Sequence, residues 1–329
     1  MCAQPEDYSQ LVDLYATGDI QGAVSRLARW PRERVASGVD ATTKTTRREP
    51  RSSGMPGPSL QLRAAVMLET DLAAARMDDE ESVDFHLGLA RRLIGLFGLK
   101  KDQDSSARDF LRRWYEFASS IYLSLGRLDK ASVYVQAALG VSPDNPMLYV
   151  YRGAITELRS GVNATELRGR APKAASGSVD RQLENAAADY RHALALDAHL
   201  AIAHLRLGWV QVRQGDVRAR NHLDAALSDA SDPETRYLAH LFIGAEAEHD
   251  QRLPDATHEY EAARRMAPEC QTPYIALAHV AGMLGDADGA REAASRLANL
   301  EKHEDPWWSY QLVGLSLGSL IWLRAAAHQ

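Results

Sequence analysis

The feature that most constrains this chain is a recurring spacing. The stretch 126–143 carries a loop Gly126, then Ala131, Val135, Ala138 and Pro143, and the stretch 253–268 carries Ala256, Tyr260, Ala263 and Pro268 at the same intervals. The small residue that opens this skeleton occurs at Ala131, Ala186, Ala219, Ala256 and Ala290, in steps of 55, 33, 37 and 34. Three steps lie near 34, and the first is 34 plus 21. A suitable insertion sits at 162–182, polar, small and basic with Gly and Pro, and reads as an exposed loop. A fixed period of this length marks stacked supersecondary units, none of which can bury its apolar face alone.

Upstream of each skeleton lies a second helical pattern, at 114–122, 149–154, 204–209, 240–245 and 274–279. Apolar residues recur there at three and four, as helix burial requires. Each has a small residue where two helix backbones would approach closely. A Gly-Arg, Gly-Asp or Gln-Arg pair follows (126–127, 215–216, 251–252, 285–286). Glycine suits a helix C-terminus because it accepts the left-handed conformation. Pro143, Pro233 and Pro268 stop the second helix and set the direction of the next. Each unit therefore reads as helix, tight turn, helix.

Composition agrees. The 329 residues are 45% hydrophobic and 25% charged, a foldable balance. Only 7% are aromatic and β-branched residues are sparse, which argues against an all-β fold. A net charge of -6 argues against a globally basic nucleic-acid binder. Two cysteines, Cys2 and Cys270, make neither a disulfide framework nor a metal set.

The order aromatic, Leu, Gly, Tyr, Ala, Phe, Ala, Pro over this period resembles the tetratricopeptide repeat. The resemblance is best over 112–145 and 237–270; it continues through 146–198, which carries the insertion, and through 201–235 and 271–305. It implies an all-α, right-handed solenoid of helix-turn-helix units. The expected organisation is a helix pair at 1–31 with Gly18, Ala23, Leu27 and Trp30 in register, then a disordered linker at 32–59. A divergent helical pair follows at 60–111, with amphipathic helices over about 60–77 and 82–97. The array spans 112–305, and an apolar capping helix spans 306–329. That last helix has two sharper readings. It is a surface for another subunit, or a membrane anchor using Gly314 and Gly318, although a run of about 17 apolar residues is short for a span. The start of the chain reads as a cytoplasmic, bacterial N-terminus, the alternative being the remains of an export or lipoprotein signal.

No catalytic constellation emerges: there is no phosphate loop, HExxH, CxxC or GxSxG. His204 and His240 stand where the repeat usually has an aromatic residue and read as packing histidines. Glu246, Glu248, His249 and Asp250 read as a solvated helix end. The chain is thus read as a non-enzyme with no cofactor and no metal.

The resemblance implies a concave face lined by the first helix of each unit. Carried over by position, this face contains Arg113, Glu116 and Leu123, then Glu157, then Leu205, Trp209 and Arg213, then Leu241, Glu248 and His249, and last His279. It is largely apolar and suits a helix or an extended peptide, with Trp209 as the best anchor. One position that holds a peptide carboxylate in some family members is occupied by Ser120, Ala154, Trp209, Ala245 and His279, which argues against such a clamp. The expected function is a protein–protein interaction scaffold whose partner is another protein or peptide, not nucleic acid or membrane. The alternatives are a self-assembling protein that uses the C-terminal helix, and a peptide or small-ligand sensor.

Overall fold

The computed structural model describes residues 13–14, 58–74, 77, 79–97, 105–160, 176–300 and 305–310. Apart from Asp13 and Leu14, the expected pair at 1–31 lies outside the described residues. So do the linker to residue 57, the insertion at 162–175 and the expected C-terminal helix beyond residue 310. Among the described residues every regular element is a helix.

The helices fall into two compact units divided between Ser142 and Pro143. The first holds α1 (Pro58–Ala74), α2 (Glu80–Phe97), α3 (Ser105–Ser124) and α4 (Leu128–Val141). The second holds α5 (Pro146–Arg159), α6 (Ser176–Leu196), α7 (Ala201–Gln214), α8 (Ala219–Asp229), α9 (Pro233–His249), α10 (Leu253–Met266), α11 (Thr272–Met283), α12 (Ala287–Ala298) and the short α13 (Pro306–Ser309). The dominant packing is between consecutive partners: α3 with α4, α5 with α6, α7 with α8, α9 with α10 and α11 with α12.

In the first unit α1 departs from the amphipathic expectation. Residues 63–73 are buried on every side, the apolar run Ala64-Ala65-Val66-Met67-Leu68 together with the polar Arg63, Glu69, Thr70 and Asp71. Its buried Glu69 lies 2.7 Å from Nδ1 of His86 on α2, and the Trp114 indole of α3 donates to Thr70 at 2.8 Å. In the second unit the insertion is shorter than the loop read from composition. Helix α6 begins at Ser176, since Val179 and Leu183 continue the spacing of Ala186, Ala187 and Tyr190 into the same apolar cluster.

The tight turns share one design. Gly126, Gly215 and Gly285 adopt left-handed φ of 70°, 68° and 75°. The next residue's N–H reaches back five positions, as in Arg127 to Tyr122 and Asp216 to Gln211, which satisfies a carbonyl the helix end leaves open. The fourth turn has Gln251 in the same conformation at φ 61°, with Arg252 bonded back to Ala247.

Close approach of the two helices in a unit explains the recurring small residue. A Cβ added at Gly153 would sit 2.5 Å from the Tyr190 ring, and one at Gly244 would sit 2.5 Å from the Tyr260 ring. One at Gly208 would meet Leu223 at 2.7 Å. The tyrosines cannot swing aside freely, because Tyr260 donates to Glu248 at 2.8 Å and Tyr190 to Glu157 at 2.7 Å. Gly244→Ala is therefore expected to destabilise the second unit by about 1–3 kcal/mol despite the better helix propensity of alanine. An unchanged or raised urea midpoint would show that the Tyr260 ring relocates at no cost.

One pair couples the fold to pH. His204 on α7 and His222 on α8 face each other with their Nδ1 atoms 2.9 Å apart, and Nε2 of His204 lies 3.0 Å from the Ala198 carbonyl. Burial, and then the charge of His204, hold His222 below its ordinary value of 6.5. Arg191 and Arg218 act in the same direction, and Asp216 opposes them. Below pH about 6.5 the unfolded chain binds a proton that the folded chain refuses, so stability falls as the pH is lowered through that range. The melting temperature should drop between pH 7.5 and 5.5, and His222→Gln should flatten the slope. An equal slope in the variant would place the titration elsewhere.

Candidate functional site

The positions expected on the groove separate into three environments. In the first unit, Arg113 bonds Asp109 at 3.3 Å, Glu116 is paired with Arg112 at 2.7 Å, and Leu123 is buried. Burial raises the Glu116 carboxyl, against the pull of Arg112. In the second unit Glu248 and His249 close α9, and His279 lies on α11. His279 Nδ1 lies 2.8 Å from Glu248, which also accepts from Tyr260, and His249 faces Asp250 at 3.1 Å. His249 and His279 are both exposed.

The third environment is the most built. Leu205, Trp209 and Leu241 belong to one buried cluster with Phe242, Tyr237 and Tyr310. The Trp209 ring stacks on Phe242 (centroids 4.4 Å apart, 16° between planes), and Trp307 of α13 meets it edge-on at 5.7 Å. Trp209 is thus covered by the chain's own residues. Beside it lies a polar core that the sequence reading did not assemble. The Glu157 side chain, 1% exposed, accepts from Arg206 at 3.3 Å, Arg213 at 3.2 Å and Tyr190 at 2.7 Å. Arg206 and Arg213 are themselves 3% and 4% exposed. Burial works against the Arg206 charge, but Tyr310, Tyr190 and Glu157 outweigh it and keep the guanidinium protonated. Burial pushes the Tyr190 and Tyr310 hydroxyls up, and the negative charge of Glu157 pushes them further, so both stay neutral.

Residues 305–310, after the last helix pair, come to this face. Asp305, buried, accepts from the Tyr237 hydroxyl at 2.9 Å and from the Thr272 backbone N–H at 2.8 Å. It also caps α13 through the Trp307 N–H at 3.0 Å. Arg206 lies 4.1 Å above the Tyr310 ring and donates to the Tyr310 carbonyl. This arrangement can hold a short aromatic segment by stacking, cation–π attraction and charge-assisted hydrogen bonds. Family position had put Glu157 on this face. Arg206 carried a weaker signal, a cation between Leu205 and Leu207 in an apolar helix. Nothing periodic pointed to Asp305 or Tyr310.

Among the described residues, no three His, Cys, Asp or Glu side chains converge to hold a metal. Cys270 is buried, and that burial raises its thiol to about 11. No described helix is long and apolar enough to cross a membrane.

Residues 111–145 match the family model described as tetratricopeptide repeat. That stretch is a tetratricopeptide repeat, and the helix pairs around it have the same fold. Among solved structures it is similar to PilW, described as a widely conserved type IV pilus biogenesis factor. That match has 19% identity and a TM-score of 0.50, and covers 71% of this chain and 93% of PilW. It is also similar to PilF of Pseudomonas aeruginosa, at 20% identity and a TM-score of 0.48, with 67% and 88% covered. A third is the thermophilic tetratricopeptide-repeat protein TTC0263 of Thermus thermophilus, at 18% identity and a TM-score of 0.42, with 72% and 99% covered. No curated protein matches the sequence. The consecutive helix pairs, with glycine contacts in three of them, are the tetratricopeptide solenoid read from the period of the sequence.

Proposed function

We propose that this protein is a non-catalytic scaffold that binds a helix or an extended peptide on the first helices of its repeats. The observation that carries this reading is the seat of residues 305–310. A short peptide segment already lies on α7 and α9, held by Arg206, Tyr237, Trp209 and Phe242. Rigid helices that present aromatic rings and a desolvated guanidinium supply the anchors that dominate peptide recognition. Exposed His249 and His279, with the half-buried Glu248, set the register of a longer partner in this proposal. The buried Leu205 and Leu241 shape the wall, and Arg213 holds its neighbours in place.

The test is selection of a displayed random-peptide library on the immobilised full chain, followed by hydrogen exchange with an enriched peptide bound. The expected result is slowed exchange in α7 and α9. Failure to enrich any sequence, or protection confined to α11 and α12, would sink the reading.

A further inference from the structure

We infer that residues 305–310 are an internal ligand, and that the partner of this face is a protein segment with the same three groups: a carboxylate, an aromatic ring two residues later and a second aromatic ring three residues after that. This inference rests on the reading that the first helices of the second unit bind peptides, and it names the peptide.

Each group has its own receptor. The Asp305 carboxylate meets a hydroxyl from α9 (Tyr237) and a backbone N–H from the first turn of α11 (Thr272). Trp307 enters between two rings that the protein supplies, 5.7 Å from Trp209 and 5.5 Å from Phe242. Tyr310 lies under Arg206 and gives it a carbonyl oxygen. Two of the three receptors use aromatic and arginine side chains, the types most often found as binding hot spots. The held segment has little structure of its own, since α13 is four residues long. It stays in place through these side-chain contacts, so a segment with the same groups can replace it. The internal fit is also incomplete, for the buried Trp209 Nε1 has no acceptor among the described residues. An incoming chain that places a carbonyl there gains a hydrogen bond that residues 305–310 do not make.

Tethering gives the internal segment an effective concentration on the order of millimolar, so it hides the face from weak competitors. The experiment removes that advantage in the full-length chain. Trp307→Ala/Tyr310→Ala is prepared and its helicity compared with the parent; if helicity is lost, Asp305→Asn replaces it. The probe is a fluorescent synthetic peptide of residues 303–312, and binding is read by anisotropy. The variant should bind at least about tenfold more tightly than the parent chain. Alanine at the first carboxylate or at either ring position in the peptide should each cost at least about tenfold.

Equal binding to parent and variant, or indifference to those three positions, overturns the inference. So does a parent chain that dimerises in light scattering and becomes monomeric in the variant, because the occupant would then be a second copy. If library peptides without the three groups protect α7 and α9 while this peptide does not bind, the inference falls and the peptide-binding reading stands. If no peptide of either kind binds, both fall.

Discussion

Glu157→Ala is expected to cost about 3–5 kcal/mol, the range for removing one partner of a buried ion pair. Glu157 is the carboxylate that Arg206 and Arg213 share, and it also receives the Tyr190 hydroxyl. Taking it away leaves these buried donors without their acceptor. Because α5 meets α6 and α7, the loss should spread through the second unit. Glu157→Gln keeps an acceptor for Tyr190 and loses only the charge, so its effect should be smaller. Urea unfolding of the full chain measures both, read as a shift in the lowest transition, since repeat arrays need not unfold in one step. A change under about 1 kcal/mol for the alanine variant would mean that water or a rearranged side chain takes over the role.

Trp209→Ala should cost a similar amount, about 3–5 kcal/mol, through the cavity it leaves. The ring stacks on Phe242 and supports Trp307, and both belong to or pack against the cluster that joins α7 to α9. Trp209→Phe separates the two parts of this side chain. It keeps an aromatic face for Phe242 and removes an indole N–H that is buried without an acceptor, so it should cost under about 1.5 kcal/mol. Equal losses in the two variants would mean that the N–H has a partner.

The comparison of the two positions shows where sequence reasoning reached its limit. Both were placed on the first-helix face by counting along the repeat. That count identifies a phase on a helix, and Trp209 and Glu157 have the phase assigned to them. It carries no information on whether the face is open. At Glu248, His249 and His279 the count led to side chains that water still reaches. At Trp209 and Arg213 it led to side chains that the chain itself covers.

What the sequence by itself determined is the local design: helix pairs repeated at a fixed period, turns with glycine, and a glycine where two backbones touch. These follow from short-range sterics, since φ above zero disfavours a side chain, though Gln251 accepts it, and an approach of 2.5 Å to a tyrosine ring leaves no room for one. What only the tertiary structure decided is the occupancy of the face. Arg206 and Tyr310 are 104 positions apart, and no repeat relates them. Their meeting depends on where the accumulated turns of the solenoid bring the end of the array. That is a property of the stacked helices together, not of any single unit.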